Sequence, residues 1–214
     1  MFLDIVCWRL LLFVPRFVRV VGRFGLIAKI SGWSDKWLVN NTIKQEQCNK
    51  KNIVPHRPIV WKPANAPRMK VKLLSSFGRV KTYMVVFSKE DEVLSGLTEF
   101  ALKQDAKSAH FQGMGSAFSL ELGWFDFERL MYQVIPVGIA EVTSLMGNIT
   151  WSAGKPIVHA HATASLKGGS VTGGHLLKMI VGPTLEVIVT VEPTYLYKTY
   201  NEEFQAEMID VEID

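Results

Sequence analysis

P-I-V-H-A-H-A-T-A-S-L-K-G-G-S-V-T-G-G-H, Pro156 to His175, is the stretch that decides the fold. It holds three of the chain's five histidines. His159 and His161 are two apart within small and β-branched residues, so in a strand both imidazoles project from one face. Lys167-Gly168-Gly169-Ser170 reads as a tight turn, because paired glycines supply the positive φ that hairpins need. An antiparallel return through Val171 and Thr172 brings His175 beside the first pair. On spacing alone two readings stand. One is a facial metal site of three imidazoles with open positions. The other is strand histidines with satisfied hydrogen bonds.

Further motifs flank the stretch. Gly113-x-Gly115, Leu122-Gly123-x-Phe125-Asp126 and Glu141-Val142-x-Ser144-Leu145-x-Gly147-Asn148-Ile149 precede it. Gly173-Gly174-His175-Leu176 ends it, and Thr184-x-Glu186-Val187-Ile188-Val189 follows. Their order resembles the prokaryotic, AT-hook-less form of the PPC domain, the "plants and prokaryotes conserved" domain, from about Lys70 to about Tyr200. The resemblance implies an α+β fold: a largely antiparallel β-sheet with one main helix packed on it, in a homotrimer. It also implies a topology similar to acetolactate decarboxylase, which holds zinc through three histidines. Carried onto this chain, His159, His161 and His175 are the expected metal ligands, for Zn²⁺ or another first-row divalent ion. Glu141 is the candidate catalytic carboxylate. Thr163, Ser165 and Glu186 are candidates to orient the histidines, and Arg79 and His110 are candidate pocket residues.

Charge divides the 214 residues. Residues 1–68 contain 12 Lys and Arg against 3 Asp and Glu, a formal +9, whereas residues 69–214 contain 12 against 17, a formal −5. The expected organisation is therefore a basic, apolar N-terminal extension with a proline-containing linker (1–68), a PPC-like domain (69–200) and an acidic C-terminal tail (201–214). Arg9, Arg16, Arg19 and Arg23 interrupt the apolar residues of 1–30, whose uncharged runs fall far short of the ~20 residues of a membrane helix. That segment reads as a membrane-surface amphipathic helix, as an organelle-targeting presequence, or as sequence upstream of a true start at Met69. A cytoplasmic location is the expectation for the domain. His56-Arg57-Pro58 lacks the glycine and second arginine of an AT-hook. Cys7 and Cys48 lie outside the domain, so no disulfide framework is expected.

Within the domain, Val80 to Phe87 reads as a first strand. Ser88 reads as a helix cap with Asp91 as its acidic partner. Val93, Leu94, Leu97, Phe100 and Ala101 give Glu90 to Gln104 a helical apolar stripe, with Glu92 and Glu99 on the solvated face. Gly113-x-Gly115 follows a helix and lacks a third glycine, which excludes a dinucleotide fingerprint. Strands follow at 118–125, 131–136, 141–149, 176–180 and 185–191, the last apolar enough to be buried on both faces.

Three functions are open to such a chain. The first is a PPC-domain protein with a three-histidine metal site and a small-ligand pocket. The second is a DNA-binding or DNA-associated regulatory protein. Phosphate attraction requires Lys and Arg, so a domain of −5 would bind DNA weakly or only through residues 1–68. The third is a zinc-dependent, lyase-like enzyme. No serine or cysteine nucleophile constellation is present.

Overall fold

The computed structural model describes residues 53–55 and 65–213. The basic segment 1–30, both cysteines and His56-Arg57-Pro58 lie outside the described residues.

Ten strands of one sheet and one helix make up the described structure: β1 (Ile53–Pro55), β2 (Lys70–Phe77), β3 (Val80–Ser88), α1 (Val93–Lys103), β4 (Ser108–Asp126), β5 (Met131–Pro136), β6 (Ala140–Ser152), β7 (Lys155–Ser165), β8 (Val171–Glu192), β9 (Tyr197–Asn201) and β10 (Ala206–Asp210). The sheet runs β1-β5-β4-β6-β7-β8-β3-β2. All of these neighbours are antiparallel, and β9 meets β6 in a single parallel pair, Tyr197 with Trp151. The α+β expectation of a largely antiparallel sheet with one helix is what the structure has.

Two long strands organise the site. β4 spans 19 residues and β8 spans 22, and they pair with each other as well as with their other neighbours. The ladder therefore passes from β4 to β6, to β7, to β8 and back to β4. Period-2 alternation sets what each strand buries. On β7, Ala160, Ala162 and Ala164 face the core while His159, His161 and Thr163 face away from it. Helix α1 packs on β7 and β8, burying Val93, Leu94, Leu97, Phe100 and Ala101 as the periodicity predicts. Gly96 belongs to the same contact, because a Cβ there would lie 2.4 Å from the Phe87 ring. Phe87 is fully buried, which stabilises the fold by about 2–3 kcal/mol.

Several local expectations need correction. Ser88 does not cap α1: it pairs with Thr184 as the last residue of β3. The cap is Glu92, whose Oε2 accepts from the Ser95 N–H (2.7 Å) and whose Oε1 accepts from the Leu94 N–H (3.3 Å). Glu92 is thus buried, not part of a solvated face. Asp91 is buried too, and its carboxylate accepts from the Ser88 N–H at 2.9 Å and the Arg68 N–H at 3.1 Å. Strand extension by β8 holds Ser88, so the first free acceptor after it takes the cap.

The segment 185–191 is not buried on both faces. Leu185, Val187, Val189 and Val191 are buried, but Glu186 and Ile188 are exposed. Val80–Ser88 is preceded by β2, every residue of which is exposed. The acidic end does not run on as a bare tail: β9 and β10 form a hairpin in register from Tyr197–Asp210 to Asn201–Ala206. Ser152 Oγ donates to Glu207 Oε1 at 2.8 Å, and the Trp151 N–H donates to the Leu196 carbonyl.

Candidate metal centre

Register assembles the three histidines. His161 and His175 are direct cross-strand partners on β7 and β8, and His159 stands two residues from His161 on the same face. The reversal between them is the Lys167-Gly168-Gly169 turn, where Gly168 and Gly169 have φ of +99° and +87°. It is closed by hydrogen bonds from the Gly169 N–H to the Leu166 carbonyl and from the Leu166 N–H to the Ser170 carbonyl. The ring centroids form a nearly equilateral triangle: 5.3 Å from His159 to His161, 5.1 Å from His159 to His175 and 5.3 Å from His161 to His175.

One ring nitrogen from each histidine lies within 4.8 Å of the other two, so the trio could hold a metal ion. Three nitrogens at ~2.0–2.1 Å from one tetrahedral ion stand about 3.3 Å apart, so ligation of one ion requires the imidazoles to rotate closer together. His159 and His175 are half-buried and His161 is exposed at the rim. Desolvation by its neighbours still lowers the His161 pKa from the ordinary imidazole value. A neutral imidazole is the form that ligates metal.

Close approaches hold the triangle. A Cβ on Gly147 would lie 2.1 Å from the His159 carbonyl oxygen and 2.5 Å from the Phe111 ring. At Gly123, the partner of His175, a Cβ would lie 2.8 Å from Tyr132. The bare backbone there admits the Tyr132 ring, which stacks on His175 with centroids 4.6 Å apart and planes 21° apart. Burial raises the Tyr132 phenol to about 12.

The rest of the exposed face forms a trough of about 510 Å³ beside the histidines. Two rows cross it from strand to strand. One runs Thr190, His110, Asn148, His159, and the other Ile188, Gln112, Met146, His161. His110 is thus a pocket residue as expected from the sequence. Arg79 is not near it: it sits exposed in the turn between β2 and β3. Glu141 pairs with Ser165 and Ser116 and is exposed. It does not line the trough, since Ser165 is four residues, or about 13 Å, along β7 from His161. Thr163 shares hydrogen bonds with Thr143, its hydroxyl lying 2.9 Å from the Thr143 hydroxyl. Glu186 is exposed on β8, beside Met114 and Val86.

Tyr132, Asn148, Gln112 and Thr190 were not expected at the site. For the last three the signal is register: Asn148 is the direct partner of both His159 and His110, Thr190 is the direct partner of His110, and Gln112 stands two residues from His110 on the same face, relations that only the strand pairing reveals.

The model of the Plants and Prokaryotes Conserved (PCC) domain family matches residues 74–193, and the chain belongs to that family. No curated protein matches its sequence. Among solved structures, a candidate DNA-binding protein from Ralstonia eutropha JMP134 is 33% identical, covering 60% of this chain and 90% of its own, at a TM-score of 0.58. A plant- and prokaryote-conserved (PPC) protein from Pyrococcus horikoshii is 27% identical over 67% of this chain and 97% of its own, at a TM-score of 0.57. A metal-containing protein from Archaeoglobus fulgidus shares the fold at 23% identity and a TM-score of 0.57, over 61% and 93% of the two chains. The likeness to acetolactate decarboxylase from Bacillus subtilis is weaker, at a TM-score of 0.40 and 11% identity.

Proposed function

We propose that this PCC-domain protein holds one divalent ion, Zn²⁺ or another first-row metal, on His159, His161 and His175, and that a small ligand reaches it along the trough. The observation that carries this reading is the convergence of three imidazole nitrogens within 4.8 Å. A metal bound there would polarise a carbonyl or bring a water's pKa to about 7. The chain's own residues supply the rest. Tyr132 fixes the plane of His175, as outer groups commonly do for metal-bound imidazoles. Met146 and Ile188 give the trough apolar wall. His110 is the titratable side chain that lines the trough besides the ligands, while Glu141 stands farther along the face.

A homotrimer belongs to this reading. It is supported by apolar surface left on the fully exposed β2, where Phe77 is 90% exposed and Leu73 50%. Cytoplasmic residence goes with it; no helix among the described residues is long and apolar enough to cross a membrane. Metal analysis of the purified full chain tests the proposal: about one ion per chain is expected, and the double change His159→Ala/His161→Ala should abolish it. Stoichiometric metal in the double variant sinks the reading.

DNA association is the second reading, favoured by the similarity to the Ralstonia eutropha protein. Against it stands the formal −5 of residues 69–214, which phosphate repels. The discriminating measurement is DNA affinity across a salt series, for the full chain and for a chain starting at Met69. Tight, sequence-dependent binding by the shorter chain at physiological salt would put DNA first. Turnover of a ligand as a lyase is the third reading, and it needs the same metal.

A further inference from the structure

The trough has a second polar end, away from the histidine triangle. His110, Asn148 and His159 are consecutive cross-strand partners on β4, β6 and β7, and Thr190 continues the row on β8. His110 therefore stands two strand spacings, about 9.6 Å, from His159 on the same face. Between them, Asn148 Oδ1 is buried and has no hydrogen-bond partner among the described residues. A half-turn of the amide presents its NH₂ at that point instead. A buried polar atom without a partner calls for an explanation, and a small shift of the Asn148 amide towards a ligand in the trough that this residue lines supplies one.

We propose that His110, Asn148 and Thr190 form the specificity end of a two-ended site, and that the site takes a short dicarboxylate. One end, an oxo- or hydroxy-carboxylate, chelates the metal on His159, His161 and His175; the far carboxylate accepts hydrogen bonds from the trio. This rests on the metal reading above and adds the class of ligand. Charge selects a dianion. Three neutral imidazoles leave two positive charges on the ion uncompensated, and none of the described residues lining the trough is Asp, Glu, Lys or Arg. A ligand with two negative charges neutralises the site, and one with a single charge does not. Length selects a short diacid. A metal–oxygen bond takes about 2.1 Å and a hydrogen bond about 2.8 Å. The ion stands a further ~2 Å from His159, so roughly 5–7 Å of the span remains, which a chain of four or five C–C bonds covers.

The test uses the full chain loaded with Co²⁺, whose visible spectrum reports ligands at the metal without requiring turnover. The probes are 2-oxoglutarate, with two carboxylates, and pyruvate, with the same chelating end alone. Wild type should bind 2-oxoglutarate about tenfold or more tighter than pyruvate, the effect of hydrogen bonds to a charged group. His110→Ala and Asn148→Leu should each remove most of that preference, bringing 2-oxoglutarate affinity down towards that of pyruvate. Equal affinity for the two probes, or a preference that both variants retain, overturns the two-ended site with the metal reading intact. A wild-type chain that takes up no cobalt overturns both.

Discussion

Tyr132 and His175 come from strands that do not pair with each other, yet their rings lie face to face at 4.6 Å. The strand between them, β4, contributes Gly123, and the ring occupies the space its side chain would fill. The stack holds His175 at the angle it needs to face His159 and His161.

Gly123→Ala should therefore act on the metal without touching a ligand. The added methyl pushes Tyr132 off His175, and metal affinity should fall about tenfold, the effect seen when outer partners of metal-bound histidines are lost. Tyr132→Leu should do the same and also cost about 2–4 kcal/mol of stability from lost packing. Competition for the metal against a chromophoric chelator measures the first effect and urea unfolding the second. Unchanged affinity in both variants would remove Tyr132 from the site.

The same residue gives a pH signature. Burial raises its phenol from 10.0 to about 12. Its contribution to stability is fully present below pH 10, because both states then hold the proton. It is lost as pH rises towards 12, where the unfolded chain ionises first. Wild type should lose stability between pH 10 and 12 more steeply than Tyr132→Phe, in which the titrating group is gone. Parallel losses in urea midpoints would show that the phenol is not desolvated.

Gly147 and Gly168 should respond unequally to alanine. At Gly147 the methyl would meet the His159 carbonyl at 2.1 Å, so the β6–β7 ladder must shift, at about 3 kcal/mol or more. At Gly168 nothing lies within 4 Å and only the positive φ is strained, at about 1–2 kcal/mol. Urea midpoints and retained metal distinguish the two, with metal binding lost in the Gly147 variant alone.

The hairpin with its histidines was legible because its signals are local. Parity places His159 and His161 on one face, and two glycines mark the reversal that brings back His175. The α1 stripe was legible for the same reason. What was missed depends on partners far away in sequence. The cap fell to Glu92 because β8 draws Ser88 into a strand. Nothing in Met131-Tyr132-Gln133 refers to His175, and Asn148 and Thr190 join the site only through a register that runs over three strands. β2 has no buried face to mark it, because all of it is exposed, and the acidic β9–β10 hairpin reads as a tail until Ser152 and Leu196 are seen to anchor it.

The domain boundary expected at Met69 makes a further prediction. The Asn65 carbonyl accepts from the Glu92 N–H at 2.9 Å, the Arg68 N–H donates to Asp91, and Ala66 is buried. A chain trimmed to start at Met69 should still unfold cooperatively. It should be less stable than one starting before Asn65 by about 2–3 kcal/mol, chiefly for the backbone hydrogen bonds of Asn65 and Arg68 and a buried methyl, since the exposed bonds of the Arg68 side chain to Lys89 and Glu90 add little. Equal urea midpoints would show that residues 65–68 contribute nothing.

X-ray absorption at the metal edge of the zinc-loaded full chain tests the central claim most directly. Three histidines predict three imidazole nitrogens at about 2.0–2.1 Å, completed by one or two light oxygen ligands. Sulfur scattering at about 2.3 Å would contradict the account, because it would place the ion on Cys7 or Cys48 and not on His159, His161 and His175.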